Sequence, residues 1–330
     1  PYNNAVDLRL GSALRAGVVY RLEIADSICD CAGRWVPLGE GIFFGLDDAP
    51  SYNDLVINEI LFDPPDGDDA DFVEIYNRSS KIIDLKKVKI GSGSGQLPDK
   101  AVAVFSRGYQ LFPGTMAAAC KNVKLTSEHY LPPPGSVLLP CDSLPPFANS
   151  QGVTHLTDLS LQRIDRFSYD EKMHYPMLSS VDGVSLERVR YDDETQNDNN
   201  WKSAAASVNF ATPGYRNSQF AEGLSVKDML EIVPEVFSPD NDGFEDFAEV
   251  LLHFEELENR VTVEIFDLNS LLIKTISNNE MVGAEARFLW DGTDDNGRGV
   301  PPGMYVIKIS YWNLSGRKRT SRKVVSVWGK

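Results

Sequence analysis

"LVINEILFDPPDGDDADFVEIYN", residues 55–77, is a pair of apolar, β-branched runs separated by prolines, a glycine and aspartates. The flanks read as strands, because Val, Ile, Phe and Tyr suit a pleated, half-buried surface. The middle reads as a reversal, because Pro and Asp-Gly favour turn geometry. The same alternation runs through the rest of the chain. "VVYRLEI", "VAVF", "GSVLLPC", "VSLERVRY", "VTVEIFDL", "GMYVIKISYW" and "VVSVW" read as strands, with "GSGSG", "PPPG", "DDNGRG" and "NLSGRK" as turns between them. Helical periodicity is scarce: "FAEGLSVKDML", 220–230, is the one stretch patterned as a short helix or a linker. Many short strands at regular spacing with few helices predict an all-β chain of packed sandwiches.

The 330 residues are enough for two or three domains, each with its own core. A composition of 42% hydrophobic, 10% aromatic and 24% charged residues is that of a folded protein, not of a disordered or fibrous one. The net charge of −16 opposes general affinity for nucleic-acid backbones or anionic membranes and suits a secreted protein or divalent cations. No run of about 18 apolar residues is present to span a bilayer. The chain opens on Pro1 without a signal-peptide pattern, so a fragment or mature segment of a longer protein is expected. Four cysteines, Cys29, Cys31, Cys120 and Cys141, permit two bridges in an oxidising compartment or four thiols. Cys120 and Cys141, flanking a proline-rich loop, are the first candidates for a pair.

Composition divides the chain into residues 1–48, with too few strands for a sandwich, a large unit over 50–218, a connector over 219–233, and a last unit over 234–330. "LVINEILFDPPDGDDADFVEIYNRSSKIIDL" resembles the start of a bacterial lamin-tail domain, an immunoglobulin-like β-sandwich. "GVSLER", the Asn-Trp-x-Ser-Ala stretch near 200 and "ATPGYRNS" resemble its far end; the proline-rich region 92–175 departs from a minimal core of that family. "WDGTDDNG" followed by "PPGMYVIKI" is similar to the immunoglobulin-like C-terminal domains of bacterial surface and gliding-associated proteins and to the repeat of the flagellar hook-capping protein. "RAGVVYRLEIADSICDCAGRWV" resembles the closing half of a bacterial Ig-like repeat. Together the resemblances imply an all-β fold of tandem immunoglobulin-like β-sandwich domains.

The acidic stretch "FSPDNDGFEDFAE", 237–249, is the candidate metal loop. With Gly243 at the sixth position of a calcium loop, Asp240, Asp242, Asp246 and Glu249 fall at positions three, five, nine and twelve. Ser238 at position one, Pro239 after it and flanking strands depart from an EF-hand. Calcium held by hard oxygens and a bare polar turn both fit, since Asp and Asn also stabilise turns. For "WDGTDDNG" and for Asp66, Asp68, Asp69 and Asp71, solvated turns are the favoured reading. Trp290 is then a core anchor.

No catalytic constellation is legible. The four histidines, His129, His155, His174 and His253, are scattered and read as structural. Glu59 and Glu74 have the residue type of a glycosidase acid pair, whereas the lamin-tail resemblance implies that they belong to the fold's signature and serve backbone groups or a turn. The basic run "SGRKRTSRK", 315–323, reads as a solvated hairpin or a polyanion patch. The family resemblances imply a non-enzymatic region of a secreted or surface-anchored bacterial protein, contacting other surface proteins or glycans and no nucleic acid, with calcium as the candidate cofactor. Two rivals stand beside it: the non-catalytic tail of a larger secreted hydrolase, and a carbohydrate-binding module using Tyr109, Phe112, Tyr130 and Phe147.

Overall fold

The computed structural model describes residues 9–23, 41–103, 105–141, 143–221, 229–316 and 318–329. It is built almost entirely of strands. Strands Tyr20–Glu23 and Gly41–Phe44 form a two-stranded antiparallel ribbon, with Tyr20 stacked on Phe44 at 5.7 Å and Ile42 and Phe43 exposed. The following segment is tied to the next unit. Gly45 exchanges two hydrogen bonds with the Gln110 amide (3.1 and 2.8 Å), and Lys87 pairs with Asp47 at 2.5 Å.

The middle unit packs a six-stranded sheet on a four-stranded one. Edge to edge, the first runs Leu138–Pro140, Met116–Cys120, Phe72–Asn77, Leu55–Leu61, Leu186–Arg188 and Trp201–Ser203; the second runs Arg163–Asp170, Gln151–Asp158, Val88–Gly93 and Lys100–Ala103. The apolar phase of the opening strand explains how it packs. Leu55 and Ile57 enter the core, then Ile60 and Phe62, because a bulge between Ile57 and Glu59 slips the alternation by one residue. The bulge turns Glu59 away from that core and directly opposite Glu74 on one side and Glu187 on the other. Trp201 stacks on Phe167 across the core at 3.7 Å.

The other face of the six-stranded sheet is covered near its edge by helix Val123–Tyr130, capped by the Asn122 side chain. Only Thr126 and Tyr130 of this helix are buried, so its sequence carries no amphipathic stripe to read. By contrast, the expected helix over 220–230 lies outside the described residues at 222–228, and Met229 already opens strand Met229–Val233. Cys120 and Cys141 are thiols. Cys120 lies with Ala118 beneath the helix, whereas Cys141 packs against the central core, so the sheet stands between the expected partners. Cys29 and Cys31 lie outside the described residues.

The last unit sets the sheet Met229–Val233, Ala248–His253, Glu285–Trp290 against the sheet Val236–Phe237, Arg319–Val327, Gly303–Trp312, Asn259–Asp267, Leu272–Val282. Strict alternation buries Val261, Val263 and Ile265 against Ile307 and Ile309. Trp290 is fully buried, edge-on to Phe237 and Tyr305, and donates its indole N–H to the Thr293 carbonyl at 3.0 Å, the anchor its position in the sequence predicts.

Candidate functional site

The acidic loop joins strands Val236–Phe237 and Ala248–His253 at one end of the last unit. Asn241, Gly243 and Glu245 adopt left-handed φ values of 59°, 89° and 51°, which curl the chain tightly; Gly243 does so without steric cost. Short carboxylates then cap the exposed amides. Asp240 Oδ1 accepts from the Asp242 N–H (3.3 Å), Asp242 Oδ1 from Phe244 (2.9 Å) and Asp246 Oδ2 from Gly243 (2.9 Å). Asp240, Asp242 and Asp246 each place an oxygen within 4.8 Å of the others. Three oxygens no farther apart than that lie within about 2.8 Å of a common centre, so a small inward movement brings them to the 2.3–2.6 Å that calcium prefers. Asp246 Oδ1 is buried with no hydrogen-bond partner, a costly state for an acceptor that a cation would relieve.

Glu249, the twelfth position of the expected loop, is not in this cluster. It lies on the strand, paired across to Leu289, and its carboxylate binds Arg287. A helix–loop–helix hand would swing such a glutamate inward, but a pleated strand fixes its direction by alternation. Beside the cluster lies a groove of about 500 Å³, lined in part by Asp240, Asp246, Phe247, Asp291 and Trp328. Phe247 and Trp328 expose their rings at its rim.

The other acidic stretches are occupied as turns. Burial alone pushes Asp291 up, but the Thr293 hydroxyl and Lys274 hold its carboxyl below the usual range. Asp294 accepts from the Asn296 and Arg298 amides. In the turn after Leu61, Lys121 pairs with Asp69 (2.6 Å) and Asp71 (3.3 Å), and His129 contacts Asp68 (2.7 Å). His155 and His174 are buried, and burial pushes both down to about 4. Among the described residues, the one group of three or more His, Cys, Asp or Glu side chains within ligating range of one another is Asp240, Asp242 and Asp246.

Glu59 and Glu74 are fully buried, which removes them from any cleft that a glycosidase would need. With Glu187 they form a row across three adjacent strands, covered by residues 212–219. Glu59 accepts from Ser185 Oγ (2.5 Å) and from the amide and hydroxyl of Thr212 (2.8 and 3.0 Å). Glu74 accepts from Asn58 Nδ2 and the Gly214 amide, both at 2.6 Å. Glu187 accepts from Ser218 Oγ (2.8 Å), the Gln219 amide (2.9 Å) and Thr212 Oγ1 (2.6 Å). Thr212 has one hydroxyl proton for two glutamates, so a second proton on one of the carboxyls is needed to complete both contacts. Burial raises all three: Glu74 to about 8, and Glu59 further helped upward by Glu187 and Glu74. The sequence reading missed Glu187, although it sits in "GVSLER" between the buried Leu186 and Arg188.

Of the rings expected to form a glycan platform, Phe112 is half-buried and the others are drawn inward. Tyr130 is buried, and Tyr109 and Phe147 pack against the central core. Most of the basic run lies on strand Arg319–Val327, where Arg322 and Lys323 are exposed beside the partner strand Gly303–Trp312.

Residues 48–170 match the family model of the Lamin Tail Domain and residues 243–315 that of the FlgD Ig-like domain. Similar solved structures include FlgD from P. aeruginosa, at 22% identity over 24% of this chain and 62% of that one, with a TM-score of 0.21. PorU from Porphyromonas gingivalis aligns at 11% identity over 85% of this chain and 20% of its own, TM-score 0.25. PorZ, of the type-IX secretion system of the same organism, aligns at 12% identity over 82% and 30%, TM-score 0.23. The chain spans less than two thirds of each. No curated protein is significantly similar to it. The chain therefore carries a lamin-tail domain followed by an FlgD Ig-like domain, two immunoglobulin-like β-sandwich units in tandem.

Proposed function

We propose that this chain is a non-catalytic region of a secreted or cell-surface bacterial protein. It spaces and displays its neighbours through protein or glycan contacts, with calcium at Asp240, Asp242 and Asp246 stiffening the tip of the last unit. We read its organisation as a partial Ig-like unit over 1–48, a lamin-tail sandwich over 50–218, a connector over 219–233 and a final sandwich over 234–330.

The observation that carries this reading is how the two sandwiches dock. The Ala284 amide donates to the Ser218 carbonyl at 3.0 Å, and Lys202 pairs with Glu258 at 3.1 Å. Arg260 donates to the Met177 carbonyl at 3.1 Å and lies 5.5 Å from the centre of the Tyr175 ring. A backbone hydrogen bond braced by side-chain contacts suits a spacer, which must hold an angle under load. Gly283 permits the approach, because a Cβ there would stand 2.0 Å from the Ser218 carbonyl oxygen. Gly283→Ala should separate the units while leaving each folded. Small-angle scattering should show a larger radius of gyration with an unchanged circular dichroism spectrum; an unchanged radius would mean that the docking does not set the shape.

The calcium reading is tested by melting chelator-stripped protein with and without 5 mM calcium. With a dissociation constant of about 1 mM, typical of extracellular modules, the gain is about 1 kcal/mol. For a domain this small that raises the melting temperature by about 4–8 °C. The rise should vanish in Asp242→Ala. An equal melt with and without calcium would reduce the loop to a polar turn.

A further inference from the structure

A second concavity, of about 220 Å³, lies on the lamin-tail sandwich, far in sequence from the acidic loop and independent of the reading above. It is lined by three arginines, Arg78, Arg163 and Arg166, and by three acids, Asp165, Asp192 and Glu194, together with Tyr52 and Thr195. The chain holds 48 acidic against 32 basic side chains, so a guanidinium has carboxylates in ample supply. Lysines nearby use them: Lys81 pairs with Asp54 and Lys87 with Asp47. Yet among the described residues none of the three arginines has a carboxylate oxygen within the 4.0 Å of an ion pair.

Their guanidinium groups are held by other means. Arg78 donates from Nε to the Asn53 carbonyl (2.9 Å) and from Nη1 to the Tyr191 and Asp192 carbonyls (both 3.3 Å), leaving Nη2. Arg166 donates from Nε to the Gly95 carbonyl at 3.3 Å, leaving both Nη groups. Arg163 lies 5.0 Å from the centre of the Tyr52 ring, a cation–π contact that consumes no N–H. The positive field of two of the arginines reaches His155, whose imidazole is pushed down first by burial, then by Arg166, with Arg163 adding to the effect and Asp99 opposing it. Of the local acids, Asp165 is committed to Arg188, Thr195 and the Ile57 amide. Asp192 and Glu194 also line the concavity and are solvent-exposed, where water screens their charge, and neither forms an ion pair with the three arginines.

We propose that this pocket binds a tetrahedral oxyanion, a phosphate or sulfate group, free or as a monoester on a sugar. Planar guanidinium forks match the edges of a tetrahedral oxyanion and deliver paired hydrogen bonds to it. The volume suits the charged group itself more than a drug-sized ligand. An anion here would use the N–H groups that the fold leaves over.

The test is calorimetric titration of the whole chain with inorganic phosphate, glucose 6-phosphate and glucose, at ionic strength held constant with sodium chloride. Phosphate or the ester should saturate one site and glucose should not. Arg163→Gln and Arg166→Gln should each weaken binding about 10-fold or more, since each removes charge-assisted bonds, while Lys124→Gln on the exposed helix should leave it unchanged. Equal affinity for phosphate and its ester assigns the site to the free anion; tighter binding of the ester assigns it to a sugar-borne group. Both substitutions sit at the surface, so an unchanged melt without ligand confirms that the variants fold. Absence of saturation, or binding that survives Arg163→Gln/Arg166→Gln, overturns the proposal and leaves Asp192 and Glu194 as the partners that neutralise the arginines in solution.

Discussion

Raising the pH from 6.5 to 8.5 should lower the melting temperature of the lamin-tail sandwich by about 5–10 °C. Glu59, Glu74 and Glu187 have carboxyls raised by burial in the fold, Glu74 to about 8. The folded chain therefore holds protons that the unfolded chain releases near pH 4.5. Stability from such groups is complete below the unfolded value and is lost as the pH rises through the folded one. Over this interval Glu74 alone accounts for about 2 kcal/mol. The interval also isolates the glutamates. His155 and His174, pushed down to about 4, contribute stability that is present above pH 6.5 and lost only as the pH falls toward 4. Below pH 6.5 the two effects oppose each other, so the slope is informative only above it. Glu187→Gln offers a fixed-proton control. Its amide carbonyl can accept from Ser218 and Gln219, while its NH₂ donates to Thr212 Oγ1, freeing that hydroxyl's proton for Glu59. The variant should melt higher than the parent at pH 8.5 and show a shallower slope. A parent melt that is flat or rises between pH 6.5 and 8.5 would mean that the row is ionised in the fold.

Why these glutamates escaped a full reading of the sequence is physical. The strands themselves were legible, because alternation and turn chemistry are local. The bulge at Asn58 was not read, though its trace is visible in the slipped phase of Leu55, Ile57, Ile60 and Phe62. That single extra residue decides that Glu59 faces Glu74 and Glu187, and that residues 212–219 must bring donors across to them. Pairings 126 to 153 residues apart are a property of topology, not of spacing. The acidic loop shows the converse. Asp240, Asp242 and Asp246 lie close in sequence and converge in space, while Glu249 lies apart from them on a strand, where a calcium-loop template assumes a helix. The short helix Val123–Tyr130 was invisible because it buries two side chains and packs on a sheet edge. The arginine pocket draws on residues 78, 163 and 166, which no motif links.

Arg188→Met should be the most damaging single change in the lamin-tail sandwich, costing about 3–5 kcal/mol and about 10 °C of melting temperature. Arg188 is completely buried. Its guanidinium donates to the Ile57 carbonyl (2.9 Å), the Asp193 carbonyl (2.9 Å) and Thr195 Oγ1 (2.6 Å), and lies 5.2 Å from the centre of the Trp201 ring. Asp165, at 3.6 Å, is its counter-charge and accepts from the Ile57 amide (2.8 Å) and the Thr195 hydroxyl (2.7 Å). The pair thus ties strand Leu55–Leu61, at its bulge, to the facing sheet and to the loop around Thr195. Methionine fills much of the volume but leaves Asp165 charged and buried without a cation, and strands two carbonyls. The charge, not the packing, carries most of the expected loss, and a second substitution separates them. With Arg188 gone, Asn at 165 can accept from Ile57 through Oδ1 and donate to Thr195 Oγ1 through Nδ2, leaving no charge behind. Asp165→Asn in the Arg188→Met background should therefore recover a substantial part of the lost stability in urea melts. A double variant as unstable as Arg188→Met alone would assign the loss to packing against Trp201 and to the stranded carbonyls. An Arg188→Met that melts within about 0.5 kcal/mol of the parent, the range of an ordinary surface change, would show that the buried pair is dispensable to the fold.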